Sequence, residues 1–140
     1  MHSLLRTRTI LVLGAVVFLA SATWADETSV IRALTRLKTS VQSNVSIELY
    51  RGLLSDAKAE IDITKKERRT NEAFVIAANS CWWSYNLARV AWEVRDRMER
   101  IGSRDAKEWD SRMRENWSSG GECVEMLYSL RSKKSEQPRK

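Results

Sequence analysis

The chain has 140 residues, of which 43% are hydrophobic and 30% charged, and its formal net charge is +6. A chain of this length forms one domain with a modest hydrophobic core. Its single histidine, His2, lies in an N-terminal segment that we expect to be removed. The mature protein would then have no imidazole, which excludes histidine-ligated haem, zinc or copper and histidine-dependent nucleophilic sites. We predict no metal site and no cofactor.

Residues 1–25 have the pattern of a secretory signal peptide. Two arginines, Arg6 and Arg8, precede an apolar run over residues 10–20, and small residues provide cleavage sites after Ala22 or Ala25. A membrane-spanning helix needs about 20 apolar residues, so this run is short for an anchor. We favour cleavage after Ala25, which predicts export to the periplasm or secretion.

The C-terminus carries most of the remaining positive charge. Loss of Arg6 and Arg8 leaves a net charge of +4, and Arg131, Lys133 and Lys134 lie in the last ten residues. We expect residues 133–140 to form a flexible basic tail. The alternative is that Arg131, Lys133 and Lys134 contact an anionic membrane surface, an envelope polymer or an acidic partner. No nucleic-acid-binding motif is present, and we predict no nucleic-acid partner.

Residues 26–132 are predicted to form a single all-α domain, a three- to four-helix bundle. Glycine and proline are scarce, and apolar residues recur at intervals of three and four, as in amphipathic helices. Thr28 or Ser29 is the expected cap of the first helix, and Ser46 caps the second after a turn over residues 43–46. The connection to the third helix is expected near Thr70 and Asn71.

The third and fourth helices are predicted to form a long antiparallel hairpin, over about residues 72–101 and 106–132. Gly102 occupies the position where a helix commonly ends in a left-handed residue, and Asp105 can cap the next helix. The third helix carries two apolar stripes, so we expect it to be central and packed on more than one neighbour. One stripe contains Cys81, Tyr85, Ala88 and Trp92, and the other contains Ile76, Trp83, Leu87, Val90 and Val94.

The two cysteines support this hairpin. Cys81 lies 21 residues before Gly102 and Cys123 lies 21 after it, so each is about 31 Å from the turn at 1.5 Å per residue. We predict a disulfide between Cys81 and Cys123, as expected of an exported protein with two cysteines. The chain-entropy estimate of its stabilisation is about 4 kcal/mol, an upper-end value. A redox-active pair is the alternative, but the C-x-x-C spacing is missing.

The sequence from Ser118 to Gly121 resembles a loop, because two serines precede two glycines. Each glycine costs about 1 kcal/mol relative to alanine inside a helix. The apolar stripe of the fourth helix nevertheless keeps its phase across this segment, so we favour a continuous helix in which glycine permits close helix approach. A short turn is the alternative.

Aromatic and acidic residues are the remaining candidates for a site. Five tryptophans lie in the predicted hairpin, where they can fill the core, and Trp82 is the best candidate for a surface contact because it lies between the two stripes. Glu93 and Asp96 have arginines four residues later, which favours solvated ion pairs over a catalytic acid and base.

These patterns predict an exported, non-catalytic helical protein that acts through protein–protein interaction or self-association. The partner is then an unidentified protein or a second copy. One alternative is a binder of anionic membrane surfaces or envelope polymers through the basic tail. A carboxylate-dependent hydrolase is a further alternative, and we predict that the protein is not an enzyme.

Overall fold

The computed structural model describes residues 26–67 and 71–135, and these residues form four helices with no strand. The helices are α1 (Asp26–Gln42), α2 (Ile47–Lys66), α3 (Glu72–Arg100) and α4 (Ala106–Ser135). The predicted all-α bundle and its long hairpin of third and fourth helices are therefore confirmed. The predicted signal peptide and residues 136–140 of the predicted tail lie outside the described residues.

Consecutive helices pack on each other, and α4 packs back on α1, so the bundle has an up-down-up-down arrangement. The hairpin of α3 and α4 forms the most extensive contact, α1 and α3 touch across one diagonal, and the backbones of α2 and α4 do not come close across the other. The core receives large side chains from every helix, with Leu34, Leu37, Tyr50, Tyr85 and Leu127 all fully buried. The predicted packing of the third helix on more than one neighbour is confirmed, because α3 contacts all three other helices, but α3 is a corner helix of the bundle and not its centre.

Local signals define most helix ends. The side chain of Ser46 accepts a hydrogen bond from the backbone N–H of Leu49 (3.2 Å), as expected of a cap. Asn44, in the preceding turn, has a positive φ of 49°. The prediction for the first helix was too short, because α1 already includes Asp26 and places Thr28 and Ser29 inside the helix. Acidic residues are favourable in a first helical turn, so the helix can extend to them.

The connection between α3 and α4 confirms the predicted glycine stop. Gly102 has a φ of +68°, in the left-handed region that favours glycine. The N–H of Ser103 donates to the carbonyl of Met98 (2.9 Å), and the N–H of Gly102 donates to that of Glu99 (3.0 Å). These two bonds make a Schellman motif. Helix α4 starts directly after Asp105, the predicted cap position.

Helix α4 is continuous through the four residues that resemble a loop, and it ends at Ser135, three residues later than predicted. A Cβ atom added to Gly120 would lie 2.8 Å from the Tyr85 ring, whereas one on Gly121 would meet nothing closer than Lys38 Cε at 3.9 Å. Gly120 is therefore the residue that permits close approach of α4 to α3, and Gly121 is not needed for it.

The predicted disulfide is present between Cys81 of α3 and Cys123 of α4, with Cα atoms 5.3 Å apart and a sequence separation of 42. Cys81 is fully buried. The bridge therefore joins the two long helices within the core. A disulfide is typical of proteins from oxidising compartments.

Candidate interaction surface

Helix α3 has two apolar faces with opposite environments. Its inner face consists of Phe74, Ala78, Cys81, Tyr85 and Ala88, none of which is more than 2% exposed. Alanine and cysteine at three of these positions let α3 approach the neighbouring helices closely. This face belongs to the core and agrees with the first of the two predicted stripes.

The second stripe faces solvent, which the sequence did not predict. Ile76, Trp83, Leu87 and Val90 are 61%, 55%, 49% and 38% exposed. A helix at the corner of a four-helix bundle buries only the side that points to the bundle centre. The stripe lies on the opposite side of α3, where only Val94, at its C-terminal end, is half-buried.

We define the outer strip as Ile76, Ser80, Trp83, Leu87, Val90 and Val94. Its members are separated alternately by four and three residues, the spacing of the contact seam in a coiled coil. The strip runs about 27 Å along the helix. No charged residue occurs between Ala73 and Ala88, so most of this exposed surface lies on a charge-free segment. Extended exposed apolar surface of this kind is typical of interaction sites.

A shallow groove borders the outer strip on the α4 side. Leu87 and Val90 line it together with the buried Ala91, and Trp109 and Arg112 of α4 form the opposite wall. The Arg112 guanidinium lies over the Trp109 ring, 4.9 Å from its centroid. Trp109, which is half-buried, therefore adds aromatic surface next to the strip.

The α2 side of the strip is polar. Glu93 accepts hydrogen bonds from Arg51 of α2 (3.0 Å) and from Arg89 (2.6 Å). Partial burial opposes ionisation of Glu93, but the hydrogen bonds from Arg89 and Arg51 outweigh it, so its pKa is lowered. Glu93 is therefore an ionised, paired carboxylate at the edge of the strip.

Trp82, the surface candidate from the sequence, lies between α3 and α2. Its indole N–H donates to the carbonyl of Leu54 (2.9 Å), and the Lys58 ammonium lies 5.6 Å from its ring centroid. Trp82 is half-buried, whereas the neighbouring Trp83 is exposed. The two rings contact edge to face with centroids 5.2 Å apart. Trp82 thus supports the position of Trp83 on the outer strip.

The other candidates from the sequence lie at the far end of α4. Arg131 is exposed. Lys133 and Lys134 belong to the last turn of α4, and their side chains lie outside the part that the structure describes. Trp82, by contrast, lies against α2.

Two other tryptophans are half-buried and pack against the core, where the sequence predicts core tryptophans. Trp92 and Trp117 contact each other (5.7 Å between centroids) and both contact Tyr50. The Trp117 N–H donates to the Tyr50 hydroxyl (3.2 Å), which donates to the carbonyl of Tyr85 (3.0 Å). Burial raises the pKa of Tyr50 and of Tyr85. Both phenols therefore stay neutral and structural.

The acidic residues of the hairpin are held by arginines. Asp110 accepts hydrogen bonds from Arg114 (2.8 Å) and from Arg95 (3.2 Å). The bond from Arg114 is the main reason that the pKa of Asp110 is lowered, with Arg95 contributing. Within residues 26–67 and 71–135, no three His, Cys, Asp or Glu side chains are grouped so that they could hold a metal ion.

The helices of the described residues include none that is both long and apolar enough to cross a membrane. Comparison of the chain with protein families, with curated proteins and with solved structures finds no match.

The outer strip could have been found from the sequence by two combined signals. The second stripe of the third helix is visible in the sequence, and its spacing alone predicts a second core contact. The charge-free segment from Ala73 to Ala88 was the further signal, because a helix that is apolar on two opposite faces either is fully enclosed or exposes one face for a partner.

Proposed function

We propose that this chain is an exported helical protein that binds a protein partner through the outer strip of α3 and performs no chemistry of its own. The observation that carries the proposal is the exposure of Ile76, Trp83 and Leu87, each about half or more exposed on a charge-free stretch of helix. An aromatic residue at the centre of an apolar strip is a common energetic centre of protein interfaces.

Export is supported by two features. The N-terminal 25 residues have the charge and apolar pattern of a signal peptide. The buried Cys81–Cys123 disulfide suits an oxidising compartment. The protein would then act in the periplasm or outside the cell.

The acidic residues favour binding over hydrolysis. A general acid needs a raised pKa near the working pH. The two carboxyl groups with resolved shifts, Glu93 and Asp110, have lowered pKa values because arginines hold them ionised. Their arrangement suits ion pairs that stabilise the bundle.

The proposal is tested by site-specific photocrosslinking in the native envelope or secreted fraction. A photoreactive phenylalanine analogue replaces Trp83 in one variant and Ile63 in a control. Ile63 is a matched position, because it is 51% exposed on α2, compared with 55% for Trp83. We expect a discrete protein adduct from position 83 only, identified by mass spectrometry. Equal labelling from both positions, or no protein adduct from position 83, would contradict the proposal.

A further inference from the structure

We infer that the partner of the outer strip is a second copy of this chain, with the two α3 helices packed antiparallel, strip against strip. The inference rests on the proposed function, because it assigns an occupant to the same surface. A two-fold axis would then relate the copies, as in most homodimers.

The order of residues in the outer strip suits this arrangement. The strip is centred on position 85, with Ile76 and Val94 nine residues to either side of it. In an antiparallel pair with that centre, every strip residue faces a strip residue of the second copy. Ile76 faces Val94, Ser80 faces Val90, and Trp83 faces Leu87. The apolar surface is thus covered over its whole length.

The edge of the strip on the α2 side supplies complementary charges in the same register. Glu72, Asn79, Asn86, Glu93 and Arg100 follow one another at intervals of seven along this edge. Because this edge lies to one side of the contact seam, its residues pair about position 86, one residue from the centre of the strip, so Glu72 faces Arg100 of the second copy at each end of the pair. Asn79 faces Glu93, and Asn86 faces Asn86 of the second copy. Opposite charges therefore meet twice and like charges never meet along this edge.

The edge on the α4 side consists of small residues, again at intervals of seven: Ala77, Ser84 and Ala91. Ser84 faces Ser84 of the second copy, whereas Ala77 is half-buried and Ala91 is buried within each copy, so these two only flank the contact. Small side chains let two helices approach closely, so this edge places no bulky group between the copies.

A parallel pair in register fits less well. Identical residues along the strip would then face each other. Arg97, which continues the spacing of the strip, would lie against Arg97 of the second copy. Glu72 and Glu93 would face Ala77 and Met98, and no opposite charges would meet along the edges. In the antiparallel register Arg97 faces Ala73. The charge pattern therefore selects the antiparallel pair.

The length of the strip sets the expected affinity. A contact of about 27 Å along one helix per copy is at the lower end of stable protein interfaces. We therefore expect a dimer with a micromolar dissociation constant, in which Trp83 and Leu87 contribute most.

The oligomeric state is measured by sedimentation velocity on the purified protein with its disulfide intact. We expect Trp83→Glu to weaken dimerisation by about 100-fold, because two copies of a central aromatic residue are lost. Ile63→Glu, the matched change on α2, should leave the dimer unchanged. Circular dichroism checks that both variants stay folded. A monomeric wild type at all concentrations, or a dimer disrupted by Ile63→Glu alone, would overturn the inference.

Exchange of charges tests whether Glu72 of one copy faces Arg100 of the other. Glu72→Arg gives a variant with two basic groups at these positions, and Arg100→Glu gives one with two acidic groups. Each variant alone should dimerise more weakly than the wild type. A mixture of the two should form heterodimers, because opposite charges then meet at both ends. Absence of preferential heterodimers would overturn the proposed register.

Engineered cysteines test the helix orientation. Asn86→Cys places a thiol next to the same thiol of the second copy in the antiparallel pair. It should therefore form a disulfide-linked dimer on mild oxidation. Val90→Cys should not, because the two positions are then about 15 Å apart along the axis. Peptide mapping confirms that the Cys81–Cys123 bridge is retained. Efficient crosslinking of Val90→Cys without that of Asn86→Cys would indicate a parallel pair and overturn the inference.

The photocrosslinking experiment separates failure of this inference from failure of the proposed function. A monomeric protein that crosslinks through position 83 to a different protein would overturn self-association and leave the proposed binding function in place. A monomeric protein without any protein adduct at position 83 would overturn both.

Discussion

The two faces of α3 are similar in composition but opposite in environment. Cys81, Tyr85 and Ala88 of the inner face are fully buried, whereas Trp83 and Leu87 of the outer strip are about half exposed. Both faces are apolar and both repeat at intervals of three and four. An apolar stripe therefore indicates that contact is favourable at that surface. Whether the contact is made within the chain or with a partner depends on how the other helices pack.

The largest expected difference between the two faces is in folding stability. Tyr85→Ala should lower the free energy of unfolding by about 3–5 kcal/mol, because it removes a buried aromatic ring from the core. Trp83→Ala should lower it by only about 1 kcal/mol, because within the monomer it removes mainly the edge-to-face contact with Trp82. Urea unfolding at a protein concentration well below that of dimerisation measures both. Equal losses for the two variants would mean that Trp83 is packed within the monomer.

The disulfide that anchors the inner face should contribute slightly less to the free energy of unfolding than the Tyr85 ring does. Replacing both cysteines, Cys81→Ala with Cys123→Ala, should lower the free energy of unfolding by about 2–4 kcal/mol, since the closed loop spans 42 residues. Reduction of the wild-type protein provides an independent measure and should give a loss of similar size. A reduced protein as stable as the oxidised one would show that the bridge does not support the hairpin.

A smaller effect is expected where α4 approaches the inner face. Gly120→Ala should destabilise the protein by about 1–3 kcal/mol, because its Cβ would lie 2.8 Å from the Tyr85 ring. Gly121→Ala is the matched control and should stabilise α4 by about 1 kcal/mol, since its Cβ has room and alanine favours the helix. Thermal unfolding measures both. A stabilising Gly120→Ala would argue against the close approach of α4 to α3.

The smallest effect on folding stability is expected at Glu93, on the edge between the two faces. The pKa of Glu93 is lower in the folded protein than in the unfolded chain, so protonation favours unfolding. Stability should therefore decrease as the pH falls below about 4.3, the ordinary value of a glutamate. Glu93→Gln should lose less stability than the wild type over the same acid range. Urea unfolding at several pH values measures this, and identical pH profiles would show that the arginine contacts contribute nothing.

Most of the fold could be predicted from the sequence because its signals are local. Ser46 and Gly102 mark helix ends through capping chemistry that involves only the neighbouring residues. The equal distances of Cys81 and Cys123 from Gly102 predict their pairing, since helix rise is constant. The continuity of α4 through Gly120 also followed from the phase of its apolar stripe.

The candidate site was less predictable. Trp82 and Trp83 are adjacent and chemically identical, and the sequence pointed to Trp82 as the surface residue. In the structure the indole N–H of Trp82 reaches the carbonyl of Leu54 on α2, whereas Trp83 points away from the bundle and is 55% exposed. A rotation of 100° per residue separates the two side chains. Only the position of α2 determines which of them is covered.

Local sequence signals are sufficient to predict the helical class, the helix ends near Gly102 and Ser46, and the disulfide, because periodicity, capping and helix rise act within short segments or along a single helix. Which apolar face of α3 enters the core and which stays exposed depends on the packing of the whole bundle. The physical reason is that a corner helix can bury only one side against its neighbours. The identity of that side depends on how α2 and α4 are placed around α3.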